Sequence, residues 1–404
     1  MRKLAVTLLA AVFLAEGCLA PSASGYVVAY TVPNAGGCPQ PNHQNLSSPI
    51  NRRWSTALPG SSALLTAAPA GSSGQLDEVE NTILAAYGIW TGVTGTTMNA
   101  ATNVNGLAPI ARTPVANACT IDTGANVDGL NTICFHQASS AFSIGVLAFT
   151  RTVTAAAPGA TAGSAGPAAF VGQILDADIF FRDDGQATFA TPAALATPQG
   201  HGAYDLESLL AHELGHFFGL GHSGIWRAMM FPFGPPPGQA LGNRPSAQAP
   251  DAPLADDDRA ALRSLYPDPN DAVNVGSISG RILPANPFSL ALEPSPSIGQ
   301  SVTGIFGAEV VALDAGTGVV VAGALGGWSC NASMPPTRFD GSFRIDRLPV
   351  GRNYKIYVEP LDGLALPGDF SDVTASICRQ NVTPACTSPP VNTNFAVRLR
   401  PPGP

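Results

Sequence analysis

The sequence predicts an α+β domain followed by a small all-β domain. Three observations carry this. Before residue 268, three helical periodicities are interleaved with short strand candidates; a Pro/Asp-rich segment follows at 267–271; beyond it only short alternating segments cut by turns remain. At 404 residues the chain has room for one large and one small domain, each with its own core. Only 12% of residues are charged while 45% are hydrophobic, and 43 Gly and 37 Pro suit a turn-rich globular protein.

Met1-Arg2-Lys3 and the apolar run Leu4 to Ala15 have the charged start and short hydrophobic stretch of a secretory leader, so residues 1–24 are assigned as a signal peptide and the protein as secreted, extracellular. Two processing routes stay open. Small residues from Ala20 to Ser24 suit cleavage, whereas Leu14-Ala15-Glu16-Gly17-Cys18 loosely resembles a bacterial lipoprotein box, and a lipid anchor at Cys18 would hold the chain at the cell envelope. Glu16 fits that box poorly. No later apolar run is long enough for a transmembrane segment. The net charge of −8 comes without any Lys/Arg block, so a nucleic acid partner is not expected. The chain is expected to act as a monomer.

In the first domain, residues 25–268, Tyr26 to Val32 and Arg52-Arg53-Trp54 read as strands. Leu76, Val79, Ile83, Tyr87 and Trp90 recur at steps of three and four, which predicts a helix over Gln75 to Trp90. Thr132 to Phe135, Ile144 to Thr150 and Ile174 to Phe181 alternate with Gly, Asn and Asp turns and predict a sheet. From Asp205 to Phe218, Leu206, Leu209, Leu210, Leu214 and Phe217 share one side, with an Asp as N-cap and Gly219 as a stop. A third helix opens at Leu254-Ala-Asp-Asp-Asp258, carries Ala261, Leu262 and Leu265, and is closed by Pro267.

Pro267 to Asp271 reads as a linker. The second domain, 269–404 with that linker, offers Ser277 to Ile282, Ala308 to Leu313, Val319 to Ala322, Ser342 to Ile345 and Tyr354 to Val358 as strands of a small antiparallel β-sandwich. Of the cysteines at 18, 38, 119, 134, 330, 378 and 386, Cys119 and Cys134 flank a turn-rich segment and are expected to form a local bridge. None sits in a CxxC pair.

The chemistry lies in His212-Glu213-Leu214-Gly215-His216-Phe217-Phe218-Gly219-Leu220-Gly221-His222. Histidines four apart on a helix project from one face and can bind one ion together, and Gly219 lets the chain double back so that His222 brings a third nitrogen. Three protein ligands leave one position open, as catalytic zinc requires. Glu213 lies beside the first ligand, where a carboxylate can take a proton from attacking water and pass it to a leaving amine. Three of the chain's six histidines fall in this window, at ligand positions, which weighs against chance. The expected cofactor is one catalytic Zn2+ held by His212, His216 and His222, with Glu213 as general base.

HExxHxxGxxH followed by a methionine turn resembles the metzincin signature. Ser223 after the third histidine, Ala228-Met229-Met230-Phe231-Pro232 and the helix Leu254 to Tyr266 resemble the matrixins, the family of the matrix metalloproteinases; Asp128 to Thr132 and Asp176 to Phe181 resemble bacterial members more loosely. The resemblance implies a metzincin-type catalytic domain, a twisted mixed sheet with an active-site helix. It implies a protein or peptide substrate cut at internal bonds, Met230 as an apolar floor beneath the metal rather than a ligand, and Ile174 to Phe181 as the edge strand receiving the peptide. The second, structural zinc of vertebrate members is not expected, because only His136 and His201 are available for it. Ca2+ could draw on Asp176, Asp178, Asp183 and Asp184, which could equally be solvated turn residues. Cys38 in Gly36-Gly37-Cys38-Pro39 could plug the metal or form a disulfide, the latter preferred. In the second domain, Ala308 to Gly318 and Asp340 to Pro360 resemble the carboxypeptidase regulatory-like β-sandwich, which bears on fold and not on function. The rival to an enzyme is a catalytically inactive zinc-binding surface adhesion protein.

Overall fold

The computed structural model describes residues 28–283 and 308–360, apart from 32, 36, 61–62, 101–108, 115–118, 120–126, 138–141, 143–144, 164, 226–227, 240–252, 327–328, 331–336 and 339. The leader, Cys18, Cys378 and Cys386 lie outside the described residues.

Short pairs open the chain: β1 (Tyr30–Thr31) with β2 (Gln40–Pro41). Next come β3 (Arg52–Ser55), β4 (Ala63–Leu65), helix α1 (Ser73–Thr91), β5 (Ala111–Thr113), β6 (Asn131–Gln137), β7 (Ala148–Thr154) and β8 (Ile174–Arg182). The five-stranded sheet runs β5-β3-β6-β8-β7, parallel throughout except for β7, which lies antiparallel to β8.

The expectation that Ile174 to Phe181 is an edge strand is corrected here. Every residue of β8 is buried, whereas every residue of β7 is half-exposed. Ile179 and Phe181 enter the main core while Phe180, on the opposite face, packs with Cys119 and Cys134. A strand apolar on both faces belongs inside a sheet, and β7, with Thr152 and Arg151 along it, takes the edge.

The main core lies between this sheet and two helices, α1 and α3 (Leu206–Phe217). Val79, Ile83, Tyr87 and Trp90 of α1 meet Leu210, Leu214 and Phe217 of α3, and the Trp90 indole donates to the Ala211 carbonyl at 2.7 Å. Between sheet and α3 come β9 (Thr188–Ala190), the single-turn α2 (Pro192–Leu195) and β10 (Tyr204–Asp205), with β9 central between β4 and β10. Helix α4 (Asp256–Leu265) closes the domain, with Leu262 and Leu265 in the same core.

Pro267 to Asp271 is less detached than a linker. Pro267 bridges to Thr96, the Asp268 amide donates to the Gly95 carbonyl at 3.1 Å, and residues Pro269–Val273 form a 3-10 turn. Beyond it, β11 (Val275–Arg281), β12 (Ala308–Asp314), β13 (Val320–Gly326), β14 (Ser329–Cys330), β15 (Thr337–Arg338), β16 (Ser342–Pro349) and β17 (Tyr354–Pro360) follow. The sheets β11-β16 and β13-β12-β17 share a second core of Val310, Ala312, Val321, Phe343, Ile345 and Leu348. All pairing there is antiparallel. The expected Cys119–Cys134 bridge is present, and Cys38 is also disulfide-bonded, which removes it as a metal plug.

Candidate metal centre

Helix α3 is capped so that its active face is fixed. The Asp205 carboxylate accepts the Ser208 amide at 3.1 Å at the N-terminus. At the other end the Gly219 amide donates to the His216 carbonyl at 2.9 Å and the Leu220 amide to the Gly215 carbonyl at 3.0 Å, the paired bonds of a Schellman turn. Gly219 has φ +101°, and a Cβ there would lie 1.9 Å from the Asn42 carbonyl oxygen, so only glycine can make this turn. The chain doubles back and delivers His222.

The ligand atoms of His212, His216 and His222 all lie within 4.8 Å of one another, a spacing at which one ion can be shared. The Nδ1 of His212 is 2.8 Å from the Met229 carbonyl, and that of His216 is 2.8 Å from the Leu220 carbonyl. As donors to those carbonyls, both rings are held in the tautomer whose lone pair is on Nε2, the nitrogen suited to bind metal. Burial, with His222 adding, lowers the His216 pKa to about 3, so this imidazole is neutral and its lone pair available. A donor set of three imidazole nitrogens fits zinc.

Glu213, next in sequence to His212, is buried. Burial pushes its pKa up to about 7, opposed by a hydrogen bond from Thr150. Met230 is buried directly against α3: a Cβ at Gly215 would fall 2.1 Å from the Met230 sulfur. The methionine therefore lies against the turn of helix between the first two histidines.

Other candidate residues are not brought together. Among the described residues, the three histidines form the only group of three or more metal-capable side chains. Asp178 accepts the Thr132 amide at 2.7 Å, Asp183 takes the Gly60 amide at 2.7 Å and pairs with His136, and Asp184 pairs with Arg182 at 2.6 Å. These contacts tie the carboxylates to Thr132, Gly60, His136 and Arg182. His201 sits in a separate 3-10 turn, Pro198–Gly202.

Sequence reasoning missed three supporting residues. Thr150 of β7 donates to the Glu213 carboxylate at 2.6 Å. Asp258 accepts the amides of Met229 at 2.7 Å and Met230 at 3.1 Å, and Asp257 accepts the Ser223 hydroxyl at 2.6 Å. The acidic triplet reads as an ordinary helix start, and nothing in a strand pattern marks Thr150.

Residues 159–267 match the family model described as Matrixin. A further similarity is to Metalloendoproteinase 1 of Glycine max, 42% identical over 64 residues. That alignment covers 16% of this chain and 17% of the plant protein, so the chain spans well under two thirds of the length of this relative. Residues 159–267, which hold the sheet strand β8, the three histidines, Met230 and α4, are thus similar to the matrixins, and the two similarities together support zinc metallopeptidase chemistry.

Proposed function

We propose that this chain is a secreted zinc-dependent endopeptidase that hydrolyses internal peptide bonds. The reading is carried by three converging imidazoles beside one buried carboxylate, Glu213. His212, His216 and His222 are the metal ligands, and Met230 is the floor beneath them. A zinc ion held there supplies Lewis acidity, polarising a peptide carbonyl and acidifying water.

Glu213 is the general base. A carboxylate with a pKa near 7 can take a proton from attacking water at one oxygen and later return it to the leaving amine. Thr150 holds Oε2, leaving Oε1 for the proton. The outer side of β7, unpaired among the described residues, can accept an extended peptide by main-chain hydrogen bonds, placing a peptide bond across the triad. Residues 1–24 are the leader that exports the chain, 25–268 the catalytic domain, and 269–404 an accessory domain whose two small sheets suit the carboxypeptidase regulatory-like sandwich.

Two substitutions test this. Glu213→Ala should retain zinc and lose cleavage of a mixed peptide library; His216→Ala should lose the metal. Retained cleavage in Glu213→Ala would refute the mechanism. A wild-type protein that binds zinc and cleaves nothing would point to an adhesion protein instead.

A further inference from the structure

Two of the carboxylates opening α4 face different ways. Asp258 turns to the methionine turn, taking the amides of Met229 and Met230 and that of Ala255 at 2.9 Å. Asp257, 1% exposed, accepts the Ser223 hydroxyl on one oxygen and on the other the amide of Gly323 at 2.9 Å. Gly323 belongs to β13 of the C-terminal unit, and Ser223 directly follows His222. A buried carboxylate must be satisfied by donors, and those of Asp257 include one from each unit.

The contact extends around that bond. Glu309 of β12 is buried against Gly224: a Cβ on Gly224 would lie 2.5 Å from its Oε1. Ile225 covers Gly323, where an added Cβ would fall 3.1 Å from the Ile225 Cδ1, and clusters with Ala228, Ala255 and Val320. The turn Ser223–Ile225 is therefore enclosed between α4 and the C-terminal sheet. Glycine at 224 and 323 permits this close approach: a Cβ at 224 would displace the Glu309 carboxylate, and one at 323 would press on the Ile225 side chain.

We propose that the C-terminal unit is a positioning element of the metal centre, in which Gly323 and Glu309 hold the Ser223–Ile225 turn and thereby set His222 in ligating position. This rests on His222 being a zinc ligand. Groups that orient a metal ligand from behind typically govern affinity by about 10–100-fold. The hydrogen-bond chain Gly323 to Asp257 to Ser223 places that control in a different domain from the metal.

The full-length chain tests the proposal, with zinc affinity read by competition against a chromophoric chelator. Gly323→Pro removes one amide on an edge strand, on the side facing Asp257 rather than β12. Gly323→Pro and Ser223→Ala should each weaken zinc binding about tenfold or more. The double variant should fall short of the product of the two, since both act through Asp257. Hydrogen exchange should show β12 still protected in each. Wild-type zinc affinity in Gly323→Pro with β12 protected would overturn the proposal. If that variant loses the protection, Glu309→Ala, which removes no backbone donor, decides: unchanged affinity overturns the proposal and weakened affinity supports it. A wild-type chain that binds no more zinc than His216→Ala would overturn the zinc reading itself, and the positioning role with it.

Discussion

Thr150 on the edge strand β7 donates its hydroxyl to Oε2 of Glu213 at 2.6 Å, and the Glu213 backbone carbonyl is 3.0 Å from the same hydroxyl. The carboxylate is thereby tied to the strand proposed to bind substrate. If Glu213 is the base, the bond aims its free oxygen, and a hydrogen bond to a charged group contributes about 1.5–3 kcal/mol. Thr150→Val, which keeps shape and loses the hydroxyl, should lower kcat at least about tenfold with KM and zinc content unchanged. Thr150→Ser should restore it. Steady-state kinetics on one quenched peptide would decide, and an unchanged kcat in Thr150→Val would remove the residue from the mechanism.

Gly215 is set by close approach rather than by backbone angle. Its missing Cβ is replaced by the Met230 sulfur, with Trp90 Cζ2 3.0 Å from the same point. Gly215→Ala should improve helix propensity by about 1 kcal/mol yet lose more by pushing the methionine out, overpacking of this kind costing about 1–3 kcal/mol. Chemical denaturation should report a net loss of stability, whereas a gain would show that the contact yields easily.

Cys119 and Cys134 are 15 residues apart and pack with Phe180 on the face of β8 away from the main core. Closing a loop of that size restricts the unfolded chain by about 3 kcal/mol. Replacing both cysteines by alanine should lower the unfolding free energy by roughly that amount and leave zinc binding intact, because the bridge lies on the far side of the sheet from α3. Loss of zinc binding in the double variant would contradict that separation.

The three candidate ligands were legible because local spacing brings them together: His212 and His216 share a helical face, and Gly219 announces the turn that returns His222. The helices were equally legible, since apolar steps of three and four survive any tertiary arrangement. Strand order was not. Ile174 to Phe181 reads as a strand of eight apolar and acidic residues, but its neighbours are β6 and β7, which the strand's own pattern does not name. The same holds for Asp257, Asp258 and Thr150, whose partners lie 34, 29 and 63 positions away. The unit-to-unit contact through Gly323 spans 66 positions and leaves no periodic trace.

Asp257 gives the interface a pH signature. Burial, followed by the charge of Asp258, raises its pKa from an ordinary 3.8 to about 7, against the opposing pull of the Ser223 and Gly323 hydrogen bonds. Between those values the folded chain holds a proton that the unfolded chain has released. Folding therefore takes up a proton, and this contribution to stability, fully present below about pH 4, is lost as pH rises towards 7. Asp257→Asn carries no such proton. Unfolding free energies measured across this window should fall more steeply for the wild type than for Asp257→Asn, with the two curves becoming parallel above pH 7. Curves parallel throughout would mean that Asp257 is already ionised in the folded protein at pH 4. In that case the two hydrogen bonds, rather than burial, would govern the charge of the carboxylate joining α4 to the C-terminal unit.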